Sequence, residues 1–224
     1  MCGRLVRSSP ISVIASEFHI GEARLVIGPS YNIAPSQKVL AIINQGSKEL
    51  IQFRWGFIPS WAKDQTTGNV MINARAETIA SKPAFKLPFK KHRCLVVADG
   101  FYEWKRTEKV KVPFYVHLKS GKPFGIAGIY NKWTSAAGEN IFTCAIITTS
   151  ANEILSAVHD RMPVIIPEGE TDTWLDPEIE NEQDLLAMLS PYPAEEMEMY
   201  EVSARVNSPA YDNEDAVSRK IKKN

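Results

Sequence analysis

The sequence predicts an α+β fold: a single domain with a curved, barrel-like, mainly antiparallel sheet and several short helices. Short segments rich in β-branched and aromatic residues recur along all 224 residues, and these are typical of strands. They do not alternate with long helices, which argues against a doubly wound parallel sheet. Apolar segments continue without a linker, so we expect one domain over 1–224, with a core at about 2–207 and a C-terminal tail at 208–224.

The first elements are a short helix and a strand pair. Pro10–Phe18 is predicted to be a helix with its proline in the first turn. Lys38–Asn44 and Glu49–Trp55 are predicted to be strands joined by a turn at Gln45–Ser47.

The second half of the chain contains most of the remaining elements. A helix is expected with Ser150 as N-cap and Glu153 closing a capping box, ending near Asp160 and before Pro163. Asp184–Leu189 is a further helix candidate. The remaining strand candidates are Arg93–Ala98, Phe114–Leu118, Phe124–Tyr130 and Ile141–Thr149.

Composition excludes several classes of protein. The chain is 44% hydrophobic and 23% charged, as in ordinary globular proteins. No apolar run approaches the roughly 18–20 residues of a membrane helix, and no signal-peptide core precedes the domain. We therefore expect a cytoplasmic protein, or a nuclear one in a eukaryote. Three widely spaced cysteines, Cys2, Cys94 and Cys144, argue against a disulfide framework or a structural zinc site, and we expect no metal or cofactor.

Charge is zero overall but uneven along the chain. Between Lys82 and Lys111 there are nine basic and three acidic residues, whereas Met162–Ala204 has twelve acidic residues and no Lys or Arg. One interpretation is a cationic face for a polyanion, with an acidic face pointing away. The other is two solvated surface regions of opposite sign. Charge alone does not decide between them.

Cys2 is the first candidate for chemistry. Removal of Met1 would give it an α-amine and a thiol on adjacent carbons. Such an amine has a pKa of about 7.7–8.0 and is partly unprotonated near neutrality. It can form a Schiff base with an aldehyde, and the thiol can then close a thiazolidine ring. The alternative is a small residue that occupies position 2 by chance.

Aromatic and polar residues in two loop-like segments are candidates for nucleic-acid contact. Trp61 could stack on unpaired bases, worth about 1–3 kcal/mol per base, whereas Trp55 is expected in the core. Asn73 and Arg75 would face the same way in extended backbone. Asn73 could orient a reacting group and Arg75 could hold a phosphate. The alternative for this pair is a capped loop with a surface salt bridge.

Glu103 and His159 are candidates for proton transfer. Glu103 stands among aromatic residues, and desolvation there would raise its pKa toward a useful range. The alternative is an exposed carboxylate paired with Lys105 or Arg106. His159 is expected at a helix C-terminus, where a protonated imidazole could steady a leaving hydroxyl or a phosphate. Simple helix capping is the alternative.

Taken together, these segments resemble the SRAP (SOS-response-associated peptidase) family, of the HMCES/YedK type. The motifs occur in the family's order, and the match extends from Met1 to Asn207. They are M-C-G-R at 1–4, W-G-x-I-P-x-W at 55–61, N-A-R-x-E-T at 73–78, R-C-x-x-x-x-D-G-F-Y-E-W at 93–104 and H-D-R-M-P-V at 159–164.

The resemblance implies a protein that binds single-stranded DNA at abasic sites. Cys2 would form a thiazolidine crosslink with the ring-opened sugar, after a peptidase-like, cysteine-dependent removal of Met1. The partner is then abasic single-stranded DNA, with no membrane, and we expect a monomer. By motif position, the resemblance implies active-site roles for Asn73, Glu103 and His159, phosphate contacts for Arg4 and Arg75, and base contact for Trp61.

Three other functions remain open. N-terminal-nucleophile glutamine amidotransferases also begin M-C-G, but that likeness stops after three residues. A broader cysteine peptidase would cleave unrelated peptides. A non-enzymatic module for single strands would use the tryptophans and arginines and leave Cys2 idle.

Overall fold

The computed structural model describes residues 2–21 and 25–220. Within these ranges the strands are β1 Leu5–Arg7, β2 Ser30–Ile33, β3 Lys38–Asn44, β4 Lys48–Trp55, β5 Asn73–Arg75, β6 Arg93–Ala98, β7 Gly100–Arg106, β8 Lys111–Leu118, β9 Phe124–Thr134, β10 Asn140–Ser150, β11 Arg161–Pro163, β12 Ile165–Ile166 and β13 Met197–Glu201. The helices are α1 Ile11–Glu17, α2 Ala76–Ile79, α3 Pro83–Lys91, α4 Glu153–Ser156, α5 Thr171–Leu175 and α6 Glu182–Ala187.

A closed five-stranded barrel forms the centre of the molecule. Its strands follow the order β10-β4-β3-β6-β9, and pairing of β9 with β10 closes the ring. Strand β10 runs parallel to β4 and to β5, and the other pairings are antiparallel. A second sheet has the order β13-β8-β7-β1-β2. This arrangement confirms the predicted α+β fold with a barrel-like, mainly antiparallel sheet.

Alternation along the barrel strands separates two apolar layers. On β3, Val39 and Ala41 belong to the cluster inside the barrel, whereas Leu40 and Ile42 belong to the cluster beneath the helices. Successive side chains of a strand point to opposite faces, so one short segment serves both layers. Trp55 is fully buried in the inner cluster, as predicted, and Cys2 belongs to the same cluster.

The sequence prediction for the helix after β10 was wrong at its start. Ser150 still pairs with Arg161 in the β10–β11 ladder, so its backbone is extended and Ser150 is not the cap. Asn152 caps α4 instead, and its side-chain oxygen accepts a hydrogen bond from the Leu155 amide at 3.1 Å.

The end of this helix was also predicted too late. Helix α4 ends at Ser156 rather than near Asp160. The Ala151 amide donates to the Asp160 carbonyl at 3.0 Å, so the chain has already turned back toward β11 at that point. The antiparallel pairing of β10 with β11 therefore limits the helix to little more than one turn. Helix α6 likewise begins two residues before the predicted Asp184 and ends two before Leu189, with Asn181 as its cap.

The basic and acidic stretches are not segregated onto separate faces. Lys90 of α3 lies 3.6 Å from Glu182 of α6, and Lys91 pairs with Glu180. Of the two interpretations of the charge pattern, an acidic face that points away from a cationic one does not hold for α3, because these helices bring opposite charges together. Among the described residues, no helix is long and apolar enough to cross a membrane.

Candidate active site around Cys2

An open cleft of about 390 Å³ lies where β1, β7 and the turn after α4 meet. The chain segment 204–207 contributes its remaining edge. The lining residues are Gly3, Arg4, Glu103, Trp104, Arg106, Lys111, His159 and Asn207.

Cys2 lies behind the wall of this cleft, next to Gly3, with an exposed fraction of 0%. Its carbonyl accepts a hydrogen bond of 2.8 Å from the Asn73 side-chain amide, which holds the N-terminal segment against β5. Burial raises the pKa of the Cys2 thiol, and the negative charge of Glu103 raises it further. The thiol is therefore protonated at neutral pH in this arrangement. Met1, whose removal would free the amine, lies outside the described residues.

Glu103 is buried in the middle of the second sheet. Strand β7 lies between β8 and β1, and the Glu103 side chain is only 2% exposed. Burial raises the pKa of its carboxyl group, and a positive charge on His159 opposes that rise. Desolvation of this carboxylate was predicted and is confirmed. The alternative of an exposed glutamate paired with Lys105 or Arg106 is wrong.

His159 lies in the turn between α4 and β11, three residues past the helix. Its amide still donates to the Leu155 carbonyl at 2.9 Å, so it follows the last helical turn closely. The Nδ1 atom accepts from the Arg161 amide at 3.0 Å and also lies 2.9 Å from an Asp160 carboxylate oxygen. The two contacts need different positions of the ring hydrogen, because a bare Nδ1 accepts and an Nδ1–H donates. The structure therefore offers Nδ1 both a donor, the Arg161 amide, and an acceptor, the Asp160 carboxylate.

Asn73 and Arg75 lie on β5, which is a strand rather than the alternative capped loop. Asn73 and Arg75 flank the buried Ala74 along this strand, which pairs with β10, so their side chains share one face and that of Ala74 points to the other. The side-chain oxygen of Asn73 is buried and has no hydrogen-bond partner among the described residues. A buried amide oxygen of this kind can accept a hydrogen bond from a donor brought into the site. Arg75 is exposed and forms no ion pair with the described residues.

Arg4 is more deeply buried than a typical phosphate-binding arginine, with an exposed fraction of 9%. Its Nη1 donates to the Asn32 side chain and to the Val206 carbonyl, each at 2.6 Å. The guanidinium also lies 5.6 Å from the centre of the Trp104 ring. Arg4 thus ties the C-terminal segment to β1 and β2 while still lining the cleft.

A comparison with protein-family models identifies the family of this chain. The model for SRAP, described as SOS response associated peptidase, matches residues 1–209. The chain belongs to the SRAP family.

Relatives of this SRAP chain carry a common description. The abasic site processing protein YoqW of Bacillus subtilis is 47% identical over 214 residues, which cover 93% of this chain and 95% of that protein. The abasic site processing protein HMCES of Gallus gallus is 31% identical, with 80% of this chain and 63% of that protein covered. A crystal structure of a protein from Bacteroides thetaiotaomicron has a TM-score of 0.89 at 27% identity, and it covers 98% of this chain and all of that one.

The SRAP fold brings together five of the seven predicted site residues, which are Cys2, Asn73, Glu103, His159 and Arg4. Asn73 donates a hydrogen bond to the Cys2 carbonyl. The charge of Glu103 raises the pKa of the Cys2 thiol, and a positive charge on His159 lowers the pKa of Glu103. Trp61 is 68% exposed but does not line the cleft, and neither does Arg75. No cluster of His, Cys, Asp and Glu in the described part of the chain could hold a metal ion.

Two features of the site were missed at the level of sequence. Trp104, in the same motif as Glu103, lines the cleft and donates from its indole to the Asn207 side chain at 2.7 Å. Arg161 joins the two motifs that carry Asn73 and His159, because it donates to both carboxylate oxygens of Glu77 and to the Thr148 carbonyl. Both signals lay inside the quoted motifs, but only the folded chain shows which motif residues meet.

Proposed function

We propose that this protein recognises abasic sites in single-stranded DNA and bonds to them covalently through Cys2. Membership of the SRAP family and the names of its relatives support the substrate. The observation that carries the chemistry is the convergence of Cys2, Asn73, Glu103 and His159 at one cleft. An abasic sugar opens to an aldehyde, and this cleft holds the groups that an aldehyde trap requires.

The amine of Cys2 makes the first bond. The raised pKa of the buried thiol disfavours a thiolate, so the thiol is a poor first nucleophile here. Once Met1 is removed, the amine attacks the aldehyde carbon, and loss of one water gives an imine. The thiol sulfur then adds to the imine carbon, and its proton passes to the nitrogen. The product is a thiazolidine, and the whole sequence releases one water.

Proton transfer in this scheme belongs to Glu103 and His159. Because burial raises the pKa of Glu103, its carboxyl group keeps its proton to a higher pH than an ordinary glutamate does. It can therefore donate that proton to the departing hydroxyl. His159 assists opening of the sugar ring. The buried side-chain oxygen of Asn73 accepts a hydrogen bond from the Cys2 amine or from a sugar hydroxyl, and this bond would satisfy the oxygen as an acceptor.

The remaining predicted residues would hold the strand. Arg4 and Arg75 contact flanking phosphates, and Trp61 stacks on a base. With a net charge of zero, reversible binding is modest, and the covalent bond supplies persistence.

We also propose that the chain acts as a lyase-type crosslinking enzyme that removes its own Met1. It works as one monomeric domain, in the cytoplasm or nucleus, and reaches its DNA there. Removal of Met1 depends on Cys2 and adds one water across the Met1–Cys2 peptide bond, which leaves a carboxyl group on Met1 and a free amine on Cys2. Glu103, whose charge acts on Cys2, would carry the proton.

The test is denaturing gel electrophoresis after mixing the protein with single-stranded DNA that carries one abasic site. A heat-stable shifted band should form with this DNA and not with the undamaged strand. Cys2→Ser, prepared with Met1 already removed, keeps the amine and a similar volume but lacks the sulfur, so its band should be labile to heat. No band with the parent protein, when mass spectrometry shows Met1 absent, would overturn the proposal and direct attention to glutaminase and peptidase assays.

A further inference from the structure

The β7–β8 hairpin carries basic residues without acidic partners, although the chain has 26 acidic and 26 basic residues. Eight described cations elsewhere form ion pairs, among them Lys90 and Lys91 with Glu182 and Glu180. In the described part of the chain, none of the hairpin cations forms an ion pair. These cations are Lys105, Arg106, Lys109 and Lys111.

Two of these four cations stand directly opposite each other at the cleft. Arg106 and Lys111 are register partners in the β7–β8 ladder, so their side chains share a face of the sheet. Like charges in directly opposed positions destabilise an antiparallel pair. Both residues line the same cleft as Glu103 and His159. A like-charge pair at the wall of a cleft concentrates positive potential there and favours an anion between its members.

The face that carries this pair leads back to Cys2. Trp104 precedes Arg106 by two residues, so the two side chains share a face about 7 Å apart along the strand. The Arg4 guanidinium lies over the Trp104 ring, and the indole N–H donates a hydrogen bond to Asn207 in the C-terminal segment 204–207. A continuous surface therefore runs from the N-terminal segment, across Trp104, to the Arg106–Lys111 pair.

We propose that Arg106 and Lys111 together bind a backbone phosphate of the single strand as it leaves the abasic nucleotide. The guanidinium offers a planar pair of donors to phosphate oxygens, and the ammonium adds a mobile point charge from the neighbouring strand. The inference rests on the proposed function for the identity of the strand. The phosphate contact itself requires no covalent step.

Reversible binding tests the phosphate site directly. In a Cys2→Ala background, the double variant R106Q/K111Q is compared with K105Q/K109Q, which removes two cations of the same hairpin that do not line the cleft. Fluorescence anisotropy with an undamaged labelled single strand is measured over a series of salt concentrations. R106Q/K111Q should bind several-fold more weakly, and the salt slope should become shallower by about 0.7 for each phosphate that the variant no longer neutralises. Equal weakening in the two variants, or none in R106Q/K111Q, would overturn the inference.

Crosslinking separates this inference from the proposed function. With Cys2 present, R106Q/K111Q should crosslink several-fold more slowly at limiting DNA and at the parent's rate at saturating DNA. A parent that never crosslinks, but whose salt-dependent binding is weakened only by R106Q/K111Q, contradicts the proposed function and supports the phosphate site. A parent that crosslinks no faster than R106Q/K111Q at limiting DNA contradicts the phosphate site alone. The melting temperature of R106Q/K111Q should not fall, since the exchange removes a like-charge pair.

Discussion

Burial of Glu103 disfavours the ionised form of its carboxyl group. It is almost fully shielded from water in the second sheet, and its carboxyl pKa is raised by that desolvation. Each unit by which a pKa is raised corresponds to about 1.4 kcal/mol against the charged form. A carboxylate held in this state weakens the fold above its pKa, and its retention at the cleft is consistent with a role in proton transfer.

Replacing Glu103 with glutamine should therefore stabilise the protein, and more so as the pH rises. The unfolded chain releases this proton near pH 4.3, whereas the folded protein releases it at a higher pH. The stability associated with the protonated form is complete below the unfolded pKa and is lost as the pH rises through the folded one. The melting temperature of E103Q should exceed that of the parent by an increasing margin across this window. Exposed Glu139→Gln is the matched control. A margin that shrinks with rising pH would contradict the assigned direction of the shift.

The pH dependence of crosslinking should report the same carboxyl group. The parent rate should be bell-shaped, since the reaction needs a free amine and a protonated acid. Glutamine cannot titrate, so the rate of E103Q should only rise with pH as the amine loses its proton. It should also be lower by about 10²–10⁴-fold, the usual contribution of a general acid. Quantified gels over a pH series provide the measurement, and a profile unchanged in shape would remove Glu103 from proton transfer.

At the scale of elements, one ion pair joins the two segments that carry the site. Arg161 of β11 donates to both carboxylate oxygens of Glu77 in α2, and these hydrogen bonds lower the pKa of Glu77. Helix α2 follows β5 directly, and β11 follows the turn that holds His159. The pair therefore fixes the position of Asn73 relative to His159.

Breaking this pair should affect crosslinking more than stability. Glu77 is exposed, so E77Q should cost about 1 kcal/mol or less in the free energy of unfolding. This cost should vanish in acid, because a lowered carboxyl pKa stabilises only above the pH at which the folded group is protonated. Crosslinking by E77Q should slow several-fold. K91Q breaks a comparable pair with Glu180 away from the cleft and is the control. Equal crosslinking rates in the two variants would argue against a positioning role.

The elements also show how far local sequence can predict this fold. Strands β3 and β6 were predicted to the residue, because their β-branched runs end at turn residues. The helix after β10 was misplaced because Ser150 and Glu153 form a good capping box that strand pairing overrides. Tertiary pairing thus decided a boundary that local capping rules assigned elsewhere.

At the scale of the whole molecule, closure of the barrel depends on contacts that are remote in sequence. The parallel pairing of β10 with β4 and β5 joins strands more than 70 residues apart, and no local pattern predicts it. The same closure brings Asn73 to Cys2. The motifs supplied the candidate site residues, whereas the partners of Trp104 and Arg161 could not be predicted from sequence, since those contacts arise only when distant segments pack.

Gly128 gives a test of barrel packing. It lies on β9 between β6 and β10, and a Cβ there would lie 2.9 Å from the Cys94 sulfur and 3.2 Å from the Ala145 carbonyl oxygen. G128A should reduce the free energy of unfolding by about 1–3 kcal/mol, the usual cost of overpacking. Gly169→Ala, where a Cβ would meet nothing within 4 Å, is the control. Urea unfolding measures both variants, and an unchanged midpoint for G128A would contradict close packing at this seam.

The central claim is that both the amine and the sulfur of Cys2 bond to the abasic sugar. Intact-mass spectrometry of the crosslinked product tests it most directly, combined with alkylation of thiols under denaturing conditions. We predict the combined mass of the DNA and the protein without Met1, less one water, with Cys94 and Cys144 alkylated and Cys2 protected. A product that retains Met1, or one in which Cys2 is alkylated as readily as the other two cysteines, would contradict a thiazolidine.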